Sequence, residues 1–257
     1  MGIDNNVVGV YIPGMTPAPN TQNANLKRVL FVVSAADHWT LKDGARHPSG
    51  YWGEELATPH KIFSGAGWEI TLATPGGKAP TLDRLSMNWT AGSFSKRHEI
   101  ADYLLSIKPQ LDHPRSLDTV NPDDYDLVFY PGGHGPMEDL AYDEVSGALL
   151  TRRLESGRPL ALLCHAPAAS LAAKNLDGSW PFRGYRMTGL SNTEERLNTF
   201  GWKAKWFLED RLREEGADYV KGAIPLLPFV VVDRNLYTGQ NPASSEQLAK
   251  RLVADLG

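Results

Sequence analysis

Short β-branched and aliphatic runs that alternate with helix-patterned segments constrain this chain more than any other feature. "RVLFVVS" (Arg28–Ser34) has the continuous apolar character of a strand buried on both faces. "GWEITLATP" (Gly67–Pro75) alternates like a strand and ends at Pro-Gly-Gly, and "DDYDLVFYPGGHGPMEDL" gives strand, glycine turn and helix start. "LALLC" (Leu160–Cys164) is a further strand. Helical patterns cover Glu54–Ala66, "VSGALLTRRLESGRP", "HAPAASLAAK", "WFLEDRLREEGA" and "SSEQLAKRLVADL", and strand-like "FVVVD" and "LYTG" precede the last of these. Pro59 either kinks the first helix or restarts it with Thr58 as cap. Strands and helices alternating at these lengths predict βαβ units and a parallel sheet.

The stretch Lys78–Asp118 is weakly patterned and predicts a helical excursion or cap rather than core sheet. The expectation is one α/β domain over residues 27–257, with cap insertions around 78–118 and 190–225. Residues 1–26 are rich in Asn, Pro and Gly, lack the charged start and apolar core of a secretory leader, and read as an arm on the surface or on a second subunit. No apolar run approaches the roughly 20 residues of a membrane span. A net charge of −4 without a dense Lys/Arg run argues against nucleic acid or an anionic membrane as main partner. A single cysteine excludes an intramolecular disulfide and multi-cysteine metal sites, and fits the reducing cytoplasm.

In open parallel sheets, ligands bind beyond the carboxyl ends of the strands. Three candidates fall there: the loop after Ser34, the "YPGGHGP" turn after Tyr130, and Cys164. Cys164 lies between a strand and a helix, where a thiol is presented above the sheet and feels the helix N-terminus. A lone cysteine after an apolar strand is most often inert core. His165 serves as general base only if the turn brings its ring back toward sulfur; otherwise it is a capping or surface histidine. The glycines of "PGGHG" offer unobstructed N–H groups for an oxyanion, and His134 either lines the pocket or sits in a solvated loop. Glu54 and Glu55 open a helix, where carboxylates are favoured anyway. Alternatively one of them reaches over the sheet end toward Cys164 as a general acid. His38, His47, His60, His98 and His113 show no metal-ligand spacing, so no metal is expected.

With "YPGGHGPMEDL" and "LALLCHAPAAS", the chain resembles the ThiJ/PfpI superfamily. "GYWGEELATPHKIFSGAGWEITLATPGG", "GYRMTGLSNTEE" and "LYTGQNPASS" resemble segments of the branch holding glyoxalase III enzymes and heat-induced chaperones. The resemblance implies a flavodoxin-like three-layer α/β sandwich with a mostly parallel sheet and small cap insertions. It implies Cys164 as nucleophile, His165 as its partner, Glu195 orienting His165, and Glu55, rather than Glu54, against the thiol. Substrate and oxyanion contacts then fall to Gly132, Gly133, His134 and Ala166, with Gly133 and His165 offering N–H groups. The usual Cys-His-Gly-Pro is Cys-His-Ala-Pro here, so the Ala166 methyl is expected to narrow the pocket. The implied reaction is conversion of a small 2-oxoaldehyde to a 2-hydroxy acid without a cofactor, in a homodimer. A holdase for unfolded clients, with exposed Trp and Phe around Trp89–Phe94, a protein deglycase, and a cysteine amidase or peptidase stand as alternatives.

Overall fold

The computed structural model describes residues 26–198 and 200–257, so the expected N-terminal arm lies outside the described residues. The strands, in chain order, are β1 (Arg28–Val32), β2 (His38–Thr40), β3 (Arg46–Pro48), β4 (Glu69–Thr74), β5 (Arg115–Ser116) and β6 (Leu127–Tyr130). They continue with β7 (Leu160–Leu163), β8 (Arg186–Met187), β9 (Asp218–Tyr219), β10 (Val230–Asp233) and β11 (Leu236–Gly239). The helices are α1 (Gly53–Gly65), α2 (Phe94–Ser106), α3 (Lys108–Asp112), α4 (Gly135–Glu138), α5 (Glu144–Glu155), α6 (Asn192–Leu197), α7 (Leu208–Glu215) and α8 (Ser245–Leu256).

Seven strands form the central sheet in the order β10-β11-β7-β6-β1-β4-β5. All pairs are parallel except β10 with β11. Alternate side chains of one strand enter different cores, because successive residues of a strand face opposite ways. Leu30 and Val32 of β1, with Leu160 and Leu162 of β7, join a cluster that includes Leu140, Leu149 and Leu150. Val29 and Phe31, with Ala161 and Leu163, join a second cluster that includes Leu56, Phe63, Leu104 and Leu248. Helices therefore cover both faces of the sheet, and the molecule is the expected three-layer α/β sandwich.

Some local features follow the sequence expectation and others depart from it. Helix α1 runs unbroken through Pro59. The "HAPAASLAAK" segment forms a 3-10 helix over Ala166–Ala172 rather than an α-helix. The weakly patterned stretch supplies α2 and α3, and its end adds the two-residue edge strand β5. The polar loop after β1 forms the antiparallel β2–β3 hairpin. Trp39 and Leu41 of this hairpin pack with Ala204, Phe200 and Phe207, so segments distant in sequence make one small cap. Lys42 N–H donates to Lys203 O at 2.8 Å within that cap.

The loop after β1 is fixed by Asp139, which follows α4. Its carboxylate accepts from Ser34 Oγ at 2.8 Å, Ala35 N–H at 2.7 Å and Ala36 N–H at 3.1 Å. The neighbouring Glu138 takes Thr40 N–H at 2.9 Å and so holds β2. Asp139→Ala would leave the Ala35 N–H unpaired and the Ala36 N–H with Ser34 Oγ alone, at 3.1 Å. Its expected cost is about 2 kcal/mol of unfolding free energy, measurable by urea titration.

Candidate active site

The chain runs from β1 out to β4 and β5, then returns to β6 on the other side of β1, so sequential order reverses at that point in the sheet. A crevice for ligands opens at such a reversal. The turns after β6 and β7 meet there. Cys164, directly after β7, has φ 59°, a left-handed conformation that L-residues seldom adopt. The turn is pinned from two sides: Cys164 N–H donates to Gly239 O at 2.8 Å, and Cys164 O accepts from Leu190 N–H at 2.9 Å. The strand–turn–helix geometry matches that of a nucleophile elbow.

Immediately after the elbow, His165 turns back, bringing Nδ1 to 3.5 Å from the Cys164 sulfur. His165 Nε2 lies 2.6 Å from Glu195 Oε2. Glu195 is carried by α6, whose start is fixed by a reciprocal capping box between Ser191 and Glu194. Burial alone would raise the Glu195 carboxyl, but the His134 and His165 rings outweigh it and hold it well below the usual range. An ionised carboxylate only accepts, so His165 Nε2 carries the proton and Nδ1 presents a lone pair to sulfur. Burial, reinforced by the nearby His134, keeps His165 below its ordinary pKa despite Glu195.

Glu55 lies on the first turn of α1 and is fully buried. Its Oε2 accepts from Gly132 N–H at 2.9 Å. Its Oε1 has no nitrogen or oxygen partner among the described residues, and the Cys164 thiol is the neighbour with which the carboxyl interacts. Burial pushes Glu55 up to about 8. Burial also pushes the thiol well up, and the negative charge of Glu55 adds to that rise. The two acids thus resist ionising together. Glu54 points elsewhere and pairs with Lys96 of α2, so of the two carboxylates only Glu55 meets the thiol.

The glycines of the turn after β6 allow this close approach. A Cβ on Gly132 would stand 2.5 Å from Leu163 O, 2.7 Å from Glu55 Oε2 and 2.8 Å from His165 N. Gly133 has φ 97°, and a Cβ there would stand 2.4 Å from Gly50 O. Among the described residues, no protein oxygen accepts from the Gly133 or His165 N–H. His134, expected beside the substrate, has its Nε2 2.9 Å from Glu195 Oε1 and its ring stacked on Trp39 at 4.0 Å. Ala166, expected to narrow the pocket, is fully buried, and its methyl belongs to the apolar cluster that includes Tyr130, Met137 and Leu162. Trp39, Glu138, Asp139 and Asp83 carried no spacing signal in the sequence, because only the fold brings them to the sheet end.

The five remaining histidines do not gather: His60, for example, is buried against Tyr103 and Gln110 on the α1–α2 side. Among the described residues, the donor atoms that converge are those of His134, His165 and Glu195, all within 4.8 Å of one another. Each imidazole already meets its own carboxylate oxygen, so the group is satisfied as a hydrogen-bond relay.

The DJ-1/PfpI family model matches residues 49–255, and the chain belongs to that family. It is similar to the probable glutathione-independent glyoxalase hsp3103 of Schizosaccharomyces pombe, at 28% identity over 85% of this chain and 95% of that protein. It is also similar to the protein/nucleic acid deglycase HchA of Staphylococcus aureus, at 26% identity over 89% of this chain and 80% of that one. The crystal structure of glyoxalase III from Candida albicans shares the fold, with TM-score 0.76 and 23% identity, over 90% of this chain and 98% of that chain. No helix among the described residues is long and apolar enough to cross a membrane.

The raised Glu55 carboxyl gives stability a definite pH dependence. Its protonated form is favoured in the fold, so its contribution is fully present below about 4.5 and is lost as pH rises through about 8. Glu55→Gln keeps a neutral side chain throughout. Urea midpoints at pH 5 and pH 8.5 should therefore fall further for the wild type than for this variant; equal falls would count against the assignment.

Proposed function

We propose that this protein converts a small 2-oxoaldehyde such as methylglyoxal, with water, to the corresponding 2-hydroxy acid, without glutathione. The observation that carries the reading is the elbow: a buried thiol at positive φ, an imidazole lone pair 3.5 Å from its sulfur, and an ionised carboxylate behind that imidazole. The glyoxalase named among its relatives supports the same reaction class.

His165 Nδ1 takes the thiol proton as sulfur adds to the aldehyde carbon, giving a hemithioacetal. The N–H groups of Gly133 and His165 receive the developing oxyanion. Below about pH 8 Glu55 is protonated. Its Oε2 accepts from Gly132, which leaves the proton on Oε1 to be donated toward sulfur or the substrate carbonyl. A proton then leaves C1 and returns at C2 through His165 and Glu55, giving an enediol and then a thioester. Water hydrolyses the thioester, releasing the 2-hydroxy acid and the thiol. The near-complete burial of Cys164 favours a substrate of very few atoms.

The strongest second reading is a holdase. Trp89, just before α2, is 81% exposed and Phe94, its first residue, 69%, apolar side chains that a client could touch. Deglycation of adducts, suggested by the HchA name, would use the same thiol.

A dicarbonyl panel on the wild type and on Cys164→Ser separates these readings. Lactate formation from methylglyoxal should fall by at least roughly 1,000-fold in the variant, and retained turnover would sink the mechanism. Suppression of client aggregation that survives in Cys164→Ser, with no dicarbonyl consumed by either protein, would favour the holdase instead.

A further inference from the structure

Glu195 does not serve His165 alone. Its two oxygens divide between two imidazoles, Oε2 with His165 Nε2 at 2.6 Å and Oε1 with His134 Nε2 at 2.9 Å. The rings themselves are 4.2 Å apart, centroid to centroid. His134 is held in this position on its other side by Trp39, stacked at 4.0 Å and 22°. Its backbone is fixed by Gly133 at positive φ before it and by Gly135 after it, whose N–H donates to Gly50 O at 3.1 Å. We propose that His134 is a positioning residue for the Cys164–His165 pair: by holding and partly neutralising Glu195, it sets how strongly that carboxylate draws on His165. The inference rests on the triad reading above and adds a fourth member to it.

The physical case is one of competition for a single negative charge. The charged groups facing His134 are Glu195 of α6, His165 after β7, Asp83 of the loop after β4 and His47 of β3. Burial disfavours a cation on His134, but Glu195 and then Asp83 outweigh it and push His134 above its ordinary pKa. His165 moves the other way, because burial and the His134 charge together outweigh Glu195 and Glu194. Two imidazoles in such different balance make separate roles: the outer ring carries the proton and the inner ring keeps its lone pair for the thiol. Removing the outer charge leaves Glu195 acting on His165 uncompensated. His165 then becomes more basic, and the thiolate–imidazolium pair forms at lower pH.

Cys164 is the single cysteine, so its alkylation by iodoacetamide can be followed by intact mass without ambiguity. His134→Gln keeps a donor for Glu195 Oε1 but carries no charge. The midpoint of its alkylation–pH curve should move acidward by about one unit, with the plateau rate kept. His134→Phe keeps a ring against Trp39 but leaves Oε1 without its partner. Its midpoint should also move acidward, with a reduced plateau. Midpoints unchanged in both variants would overturn the inference while leaving the triad reading intact. A wild-type thiol that does not react at any pH would take both down. Should the variants not fold, histidine-labelled wild type read by NMR decides the same point: His134 should take up a proton at higher pH than His165, and the reverse order would overturn the proposal.

Discussion

Everything at this site depends on how closely the turn after β6 lies against the elbow after β7. Gly132 is wedged between Leu163 O, Glu55 Oε2 and His165 N at distances that no Cβ could accept. Through that one contact, three elements far apart in sequence are set in register: the first turn of α1, the glycine turn and the elbow at Cys164. The parallel sheet brings the strand ends together, but the absence of a side chain at Gly132 is what lets them touch. A bulkier residue would separate Glu55 from the thiol and the Gly133 N–H from that of His165 at once.

The electrostatics follow from the same closeness. Five groups able to carry or lose a proton, Glu55, His134, Cys164, His165 and Glu195, are buried within a few residues of one another in space. Water does little to screen them, so each proton gained or lost is felt by the rest. Burial pushes the two acids beside each other, Glu55 and Cys164, up, while two imidazoles hold Glu195 down. The site therefore has one carboxylate, Glu195, shared by two cation-capable imidazoles, and a protonated carboxyl, Glu55, against the thiol.

The sheet was legible in the sequence because its strands are continuous apolar runs bounded by glycine and proline, and burial on both faces leaves no other use for such runs. The positions of Cys164, His165 and the glycine turn followed from their place at strand ends. What composition and spacing could not supply was direction. Whether Glu54 or Glu55 faced the thiol depended on the helical phase of α1, and the choice of Glu55 came from resemblance alone. The partnership of His134 with Glu195 was hidden for the same reason, since the two are 61 residues apart and neither lies in a spacing motif. The polar stretch after β1 read as loop because its hairpin is stabilised by Glu138 and by the far segment around Phe200, not by its own pattern.

The cap joining the β2–β3 hairpin to the segment around Lys203 bears on the order in which the protein is made. Glu195 and Lys203 are added to the chain after Cys164 and His165, Glu195 30 residues after its imidazole partner. Until the last third of the chain arrives, the imidazole lacks its carboxylate and the hairpin lacks the surface on which it closes. The arrangement around the thiol thus waits on contacts that are long-range in sequence and slow to form. The same late contacts that give the imidazole its carboxylate also complete the burial of the sulfur, which is 3% exposed in the finished fold.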